Sequence, residues 1–310
     1  MKTVIFGCGI IAHRITNGFK QVKGNQLVGF ASTNIERAKQ YAQKYNVALY
    51  GDYDYFLNMD DIDAVYIATY NINHYELIEK CLKHHKHVIC EKPMLSSIEE
   101  TEALFDLASK NNCLLMEAMK ACFLPINIKV KQMLKDHVIG DVKYMEASFV
   151  RGETFDKTHW LFDLKTGGSL KDIGSYCAGI LNFMADKTPE TLHTSTDKTN
   201  ELADMNAQVS IKYDDVMAHV VVSHTVNGDS ALRIYGTLGY IVIPEFWKAS
   251  KGYYVVNSQR YELECELISD FHYEIQHFSD LVNNGITQSP IMSRQASIDI
   301  LKITQNKDLY

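Results

Sequence analysis

The chain has 310 residues and a formal net charge of -7, with 46% hydrophobic and 22% charged residues. That balance belongs to an ordinary soluble globular protein, long enough for about two domains with large cores. The mild acidity argues against nucleic-acid or membrane-surface partners, and neither a secretory leader nor a membrane-spanning apolar run is visible. The seven cysteines are scattered, contain no Cys-x-x-Cys pair and lie mostly in apolar runs. They suit a reducing cytoplasm better than a disulfide framework.

The first half alternates strand and helix signals. Lys2–Phe6 is a β-branched strand running into Gly7-Cys8-Gly9-Ile10-Ile11-Ala12, and an amphipathic helix continues to Phe19. Strand, Gly-x-Gly-x-x-Ala, helix is a dinucleotide-binding arrangement. Gly7 permits the tight turn, Gly9 lets backbone approach a pyrophosphate, and Ala12 keeps helix and strand close. Cys8, Ile10 and Ile11 belong to the same turn. The second strand, at 26–32, leads to a helix over 34–45 with Asn34 as its N-cap. An acid at this strand tip would hold the ribose hydroxyl of NAD. Ser32, Thr33 and Arg37 stand there instead, hydroxyls and a cation that favour the 2′-phosphate of NADP over NAD.

A third strand spans 63–69, and the polar turn after it brings Thr69, Asn71 and His74 to the same crevice. The next strand, Val88-Ile89-Cys90, ends abruptly at Glu91-Lys92-Pro93, because proline cannot continue a ladder. Lys92 is then a cation at the carboxyl end of a parallel strand, where ligands of open sheets lie. Ser96 and Ser97 cap a helix to Lys110, with Glu99 and Glu100 in its first turn, and a strand at 113–117 follows. His84-His85-x-His87 lacks the spacing and the companion ligands of a metal site, so no metal is expected. The alternation predicts a doubly wound parallel sheet in residues 1–121.

Residues 122–310 read as an α+β domain. A helix at 126–137 and a strand at 142–151 precede Gly167-Gly168, where a helix opens with Ser169 as its expected N-cap and runs to Met184. Asp172 and Tyr176 are four apart and share a helical face. Alternating strands at 205–213, 216–225, 231–236 and 240–243, joined by short Asp or Gly turns, predict a large, mostly antiparallel sheet. Helices at 269–284 and 293–304 close the chain, the last with the option of packing back on the first domain. His159, Trp160 and Phe162, just before the glycine pair, are candidates to line a sugar or diol pocket.

Four motifs in order carry a resemblance across nearly the whole chain: Gly7-x-Gly9-x-Ile11-Ala12, Glu91-Lys92-Pro93, Glu117-Ala118-x(4)-Phe123-x-Pro125, and Gly167-Gly168-x(3)-Asp172-x-Gly174-x-Tyr176. They resemble the Gfo/Idh/MocA family of NAD(P)-dependent oxidoreductases. Within it the chain is most similar to the branch of dimeric dihydrodiol dehydrogenase and NADP-dependent xylose dehydrogenases, because Tyr176 stands where other branches carry histidine. The resemblance implies a Rossmann domain, and an α+β domain whose open sheet covers the active site on one side and often forms a dimer or larger homo-oligomer on the other. It also implies that Glu91 and Lys92 border the cofactor, that Lys92 and Tyr176 meet beside the nicotinamide, and that a cis bond before Pro93 is allowed. Asp172 is then placed either to orient Lys92 or to contact a substrate hydroxyl. That branch commonly carries tryptophan and arginine where this chain has Lys120 and Cys122, so substrate specificity does not carry over.

The expected activity is hydride transfer between NADP, or NAD, and a sugar, polyol or diol. Tyr176 acts as acid/base, its phenolate favoured by the Lys92 ammonium. An NAD-dependent glycosidase of the same family and a non-catalytic cofactor sensor are the alternatives.

Overall fold

A computed structural model of the protein describes residues 1–305 apart from 153, 155 and 157. The chain divides into two compact units, Met1–Lys120 with Ile268–Arg294, and Ala121–Leu267 with the segment from Gln295 on.

In the first unit β1 (Lys2–Phe6), α1 (Ile10–Phe19), β2 (Gln26–Ala31), α2 (Ile35–Tyr45), β3 (Leu49–Gly51), α3 (Tyr53–Leu57), β4 (Ala64–Ile67), α4 (His74–Lys83), β5 (His87–Glu91), α5 (Ile98–Lys110) and β6 (Leu115–Ala118) follow in turn. The strands form one parallel sheet in the order β3-β2-β1-β4-β5-β6. This is the expected doubly wound sheet, and its order reverses between β1 and β4, where such sheets open a crevice. Helices cover both faces of a parallel sheet, so its strands are apolar throughout. Val4–Phe6, Ala64–Ile67 and Val88–Cys90 are accordingly all buried. Local chemistry sets the helix starts. The Asn34 side chain accepts the Arg37 N–H at 3.1 Å, and Ser97 Oγ accepts the Glu100 N–H at 3.2 Å. Each satisfies an amide that the first helical turn would leave unpaired.

The second unit contains α6 (Pro125–Lys135), β7 (Val142–Val150), α7 (Ser169–Asp172), α8 (Gly174–Ala185), β8 (Thr191–Thr196), β9 (Asn206–Tyr213), β10 (Val216–Ser223), β11 (Ala231–Gly236), β12 (Gly239–Pro244), β13 (Lys251–Val256) and β14 (Gln259–Glu264). Its eight strands run β14-β13-β12-β11-β7-β10-β9-β8, and only β7 and β10 pair in parallel. β9 shows the period of two: Ala207, Val209, Ile211 and Tyr213 are buried, while Gln208 and Lys212 are exposed. The α8 helix packs on β7 and β10. After β14 the chain supplies α9 (His272–Asn283) to the first unit, and α10 (Arg294–Thr304) lies almost wholly in the second.

The expected single helix from Ser169 to Met184 is broken at Ile173, and Ser169 is not its cap. Gly168 precedes it with φ 108, a conformation side chains disfavour, and Ser169 Oγ donates to Asp204 Oδ2 at 2.7 Å. The same carboxylate accepts the Leu170 N–H at 2.8 Å. A residue 34 positions downstream therefore does the capping.

Candidate active site

The glycine turn is built for close approach. Gly7 has φ 108, and a Cβ there would lie 2.5 Å from the Ala68 carbonyl oxygen. Only glycine lets the ends of β1 and β4 come this near. Gly9 is different: it is extended (φ -103), and nothing lies within 4 Å of where its Cβ would be. The α1 helix has neither a side-chain cap nor an acid in its first turn, and Ile10 beside it is 85% exposed. An uncapped helix start behind an open glycine fits a pyrophosphate. Tyr41 Oη donates to the Gly9 carbonyl at 3.0 Å and fixes the turn. Cys8 is buried, and burial pushes its thiol up to about 11, so it stays protonated at neutral pH. Ile11 is half-buried.

At the tip of β2 the structure separates the expected cofactor contacts. Thr33 and Arg37 are exposed. Ser32 is buried, and its Oγ accepts the Asn34 N–H at 3.1 Å, so it shapes the turn.

Beyond β4 and β5, Thr69, Asn71 and Lys92 are half-buried. The expectation that His74 faces the crevice is corrected. Its ring is 1% exposed, with Nδ1 3.2 and 3.1 Å from the carbonyls of Pro93 and Met94 and Nε2 3.2 Å from that of Thr69. It ties the end of β4 to the Lys92 turn, whose Lys92–Pro93 bond is cis. Burial pushes its imidazole down, against the pull of those carbonyls. Glu117 holds the same turn by accepting the Met94 N–H at 3.0 Å. Glu91 is buried beneath it, accepting the Tyr66 hydroxyl at 2.9 Å.

The two positions that depart from the branch are both buried. Lys120 is 2% exposed, pairs with Asp270 and has its ammonium 4.8 Å from the Phe271 ring centroid. Burial pulls its pKa down and Asp270 opposes the shift. Cys122 is buried in the second unit with Sγ 3.6 Å from the Gly179 carbonyl.

In the second unit Asp172 ends α7 and Tyr176 lies in the first turn of α8. Asp172 Oδ2 is 3.3 Å from Nε2 of the buried His224. The Tyr176 ring lies 6.2 Å from Phe149, which stacks on Trp247 at 3.5 Å and 12°. His159, Trp160 and Phe162 are half-buried around a short 3-10 turn. Gly167 packs on that turn, since a Cβ there would lie 2.5 Å from the Trp160 carbonyl oxygen. Sequence reasoning missed Trp247 and His224, which carry no motif. Only the sheet brings them to Phe149 and Asp172. Among the described residues no group of three or more His, Cys, Asp or Glu side chains could hold a metal ion.

Residues 1–119 match the oxidoreductase family model for the Gfo/Idh/MocA NAD-binding Rossmann fold, and residues 127–242 match the Gfo/Idh/MocA C-terminal domain. The chain is 30% identical over 319 residues to scyllo-inositol 2-dehydrogenase (NADP(+)) of Bacillus subtilis, covering 98% of this chain and 95% of that one. It is 29% identical over 289 residues to trans-1,2-dihydrobenzene-1,2-diol dehydrogenase of Xenopus tropicalis, covering 87% and 84%. The fold is also that of aldose-aldose oxidoreductase from Caulobacter crescentus, crystallised with glycerol, at a TM-score of 0.89 and 22% identity over 97% of this chain and 94% of that one.

Proposed function

The chain belongs to the Gfo/Idh/MocA oxidoreductase family, and from that premise we propose that it is an NADP-preferring dehydrogenase or reductase of a sugar, polyol or diol. One observation supports this most: the open glycine cradle and the Lys92 turn stand at the carboxyl ends of β1 and β5 in one parallel sheet, flanking its switch point. Gly7, Gly9 and the start of α1 hold the pyrophosphate, with Cys8, Ile10 and Ile11 completing the turn. Thr33 and Arg37 meet the 2′-phosphate. Thr69, Asn71 and Lys92 border the nicotinamide end.

The cofactor supplies the hydride acceptor or donor. The chain's own residues handle the proton. Tyr176 takes the substrate hydroxyl proton during oxidation and returns it during reduction. A free tyrosine has a pKa of about 10, too high for an effective base at neutral pH. The Lys92 ammonium favours the phenolate and corrects this. Asp172, held by His224, is a polar contact for the same reacting groups. Trp160, Phe162 and the Phe149–Trp247 stack offer aromatic faces to the C–H surface of a sugar or diol, and His159 offers a ring nitrogen.

Two further assignments go with this reading. The outward face of the large sheet presents Met217, Val221 and Tyr235 exposed beside Tyr144 and Tyr240, and a second copy of the chain covers it. Six of the seven cysteines are buried free thiols, in keeping with the cytoplasm.

Titration with NADPH and NADH, followed by turnover on a panel of sugars, polyols and diols, tests the function. NADPH is expected to bind more tightly. Arg37→Ala should weaken NADPH about 10-fold or more, the scale of a charge-assisted contact, with little effect on NADH. Equal binding of the two cofactors by the wild type would remove the roles given to Thr33 and Arg37.

A further inference from the structure

Behind Lys92 lies a buried group of side chains that the proposed reaction does not use. Tyr66 on β4 is fully buried, and its hydroxyl lies 2.9 Å from Glu91 Oε1 and 3.1 Å from Glu274 Oε1. Glu274 comes from α9, 208 residues away in sequence, and is 0% exposed. One phenol carries one hydrogen, so it can donate fully to only one carboxyl group. The other must bring its own proton.

The surroundings decide which. The Glu91 carboxylate also accepts the backbone N–H of Lys92 and faces the Lys92 and Lys120 ammoniums. Glu274 Oε2 is buried with no hydrogen-bond partner. An ionised oxygen left like that is far more costly than a neutral carbonyl oxygen. Glu274 also faces two other acids, Glu91 and Asp270, while the Lys120 ammonium that favours its charged form is already paired with Asp270. Burial pushes both carboxyls up, Glu274 well above its ordinary value.

We propose that Glu274 is a positioning residue for Lys92: a buried neutral acid that donates to Tyr66, so that Tyr66 donates to Glu91 and Glu91 anchors the Lys92 turn. The chain of hydrogen bonds has one direction, from α9 through β4 to the end of β5. Its catalytic consequence rests on the role proposed for Lys92, whereas the stored proton does not.

Infrared difference spectroscopy between the wild type and Glu274→Gln at neutral pH tests the proton. A protonated-carboxyl C=O band present in the wild type and lost in the variant is expected. No such loss overturns the proposal, whatever Lys92 does. Steady-state kinetics test the positioning. Tyr66→Phe and Glu274→Ala should each lower kcat about 10-fold with KM little changed, the scale of one hydrogen bond to a charged group. Glu274→Gln, neutral at every pH, should recover most of the activity lost in Glu274→Ala. Thermal melting of each variant identifies any that fails to fold. Folded Tyr66→Phe with wild-type kcat, or Glu274→Gln no better than Glu274→Ala, overturns the positioning role. If Lys92→Ala itself turned over normally, the site assignment would fall while the infrared result still stood.

Discussion

Gly7 and Gly9 stand two residues apart and should respond oppositely to a single methyl group. At Gly7 a Cβ would meet the Ala68 carbonyl in a backbone conformation that disfavours it. Gly7→Ala is therefore expected to cost about 1–3 kcal/mol of stability and to lower the melting temperature without cofactor. At Gly9 the Cβ would enter open space. Gly9→Ala should melt like the wild type without cofactor and bind NADPH markedly more weakly, since the methyl occupies the cradle. Equal melting of both variants would contradict these roles. Chemistry is tested at Lys92 and Tyr176. Lys92→Ala and Tyr176→Phe should each cut turnover by ~10²–10⁴, the range of general acid–base catalysis, with cofactor binding still measurable. Gly7, Gly9 and Lys92 stand out in the sequence because glycine turns and the Glu-Lys-Pro stop leave local signatures, whereas the role given to Tyr176 comes from the family resemblance. Glu274 and Tyr66 do not, because each reads as an ordinary helix or strand residue until α9 meets the sheet. His74 was misread because its position after a strand resembles a ligand's, whereas the three carbonyls around it are visible only in the fold.

The turn joining β4 to α4 carries a pH dependence with a definite sign. Burial holds the His74 imidazole below its ordinary value of 6.5, and it does the same to His87 and His277. A depressed folded-state pKa means that the unfolded chain binds protons first. The stability is therefore complete above about 6.5 and declines as pH falls from there toward the folded-state values. Melting temperature measured from pH 8 to pH 5 should drop on the acid side, and His74→Gln should flatten that slope. A profile unchanged by the substitution would assign the effect to other groups. Long or well-capped elements were readable: α2 and α5 begin at Asn34 and Ser97 as expected. The missed elements lack periodicity or length. β3 has 3 residues and α3 has 5, too few to show a pattern. β8 is a polar edge strand in which only Leu192 is buried, and β14 buries only Leu263. At the Ser169 turn, serine before an apolar run looked like a cap, but Asp204 had taken that role from another part of the chain.

At the scale of the molecule, both sheet architectures were legible because parallel and antiparallel sheets impose different burial patterns on their strands. The outward tyrosine face of the second sheet carries the assembly prediction. Tyr235 is 38% exposed, with ring centroids 5.7 Å from Tyr144 and 6.0 Å from Tyr240. Tyr235→Glu would place a charge among these tyrosines and should convert the proposed dimer to a monomer in sedimentation analysis, with folding retained. A wild type already monomeric at micromolar concentration would discard this interface. A different consequence follows from the return of α9 to the first unit. Residues 268–294 are needed to complete a body that begins at residue 1, and the β-carbon of Phe271 would lie only 2.8 Å from a Cβ placed on Gly18. A nascent chain emerging from the ribosome therefore cannot finish its nucleotide-holding half first. That half waits, with the seat for Phe271, Ile275 and Phe278 uncovered, until the whole of the intervening second sheet and then α9 have been made.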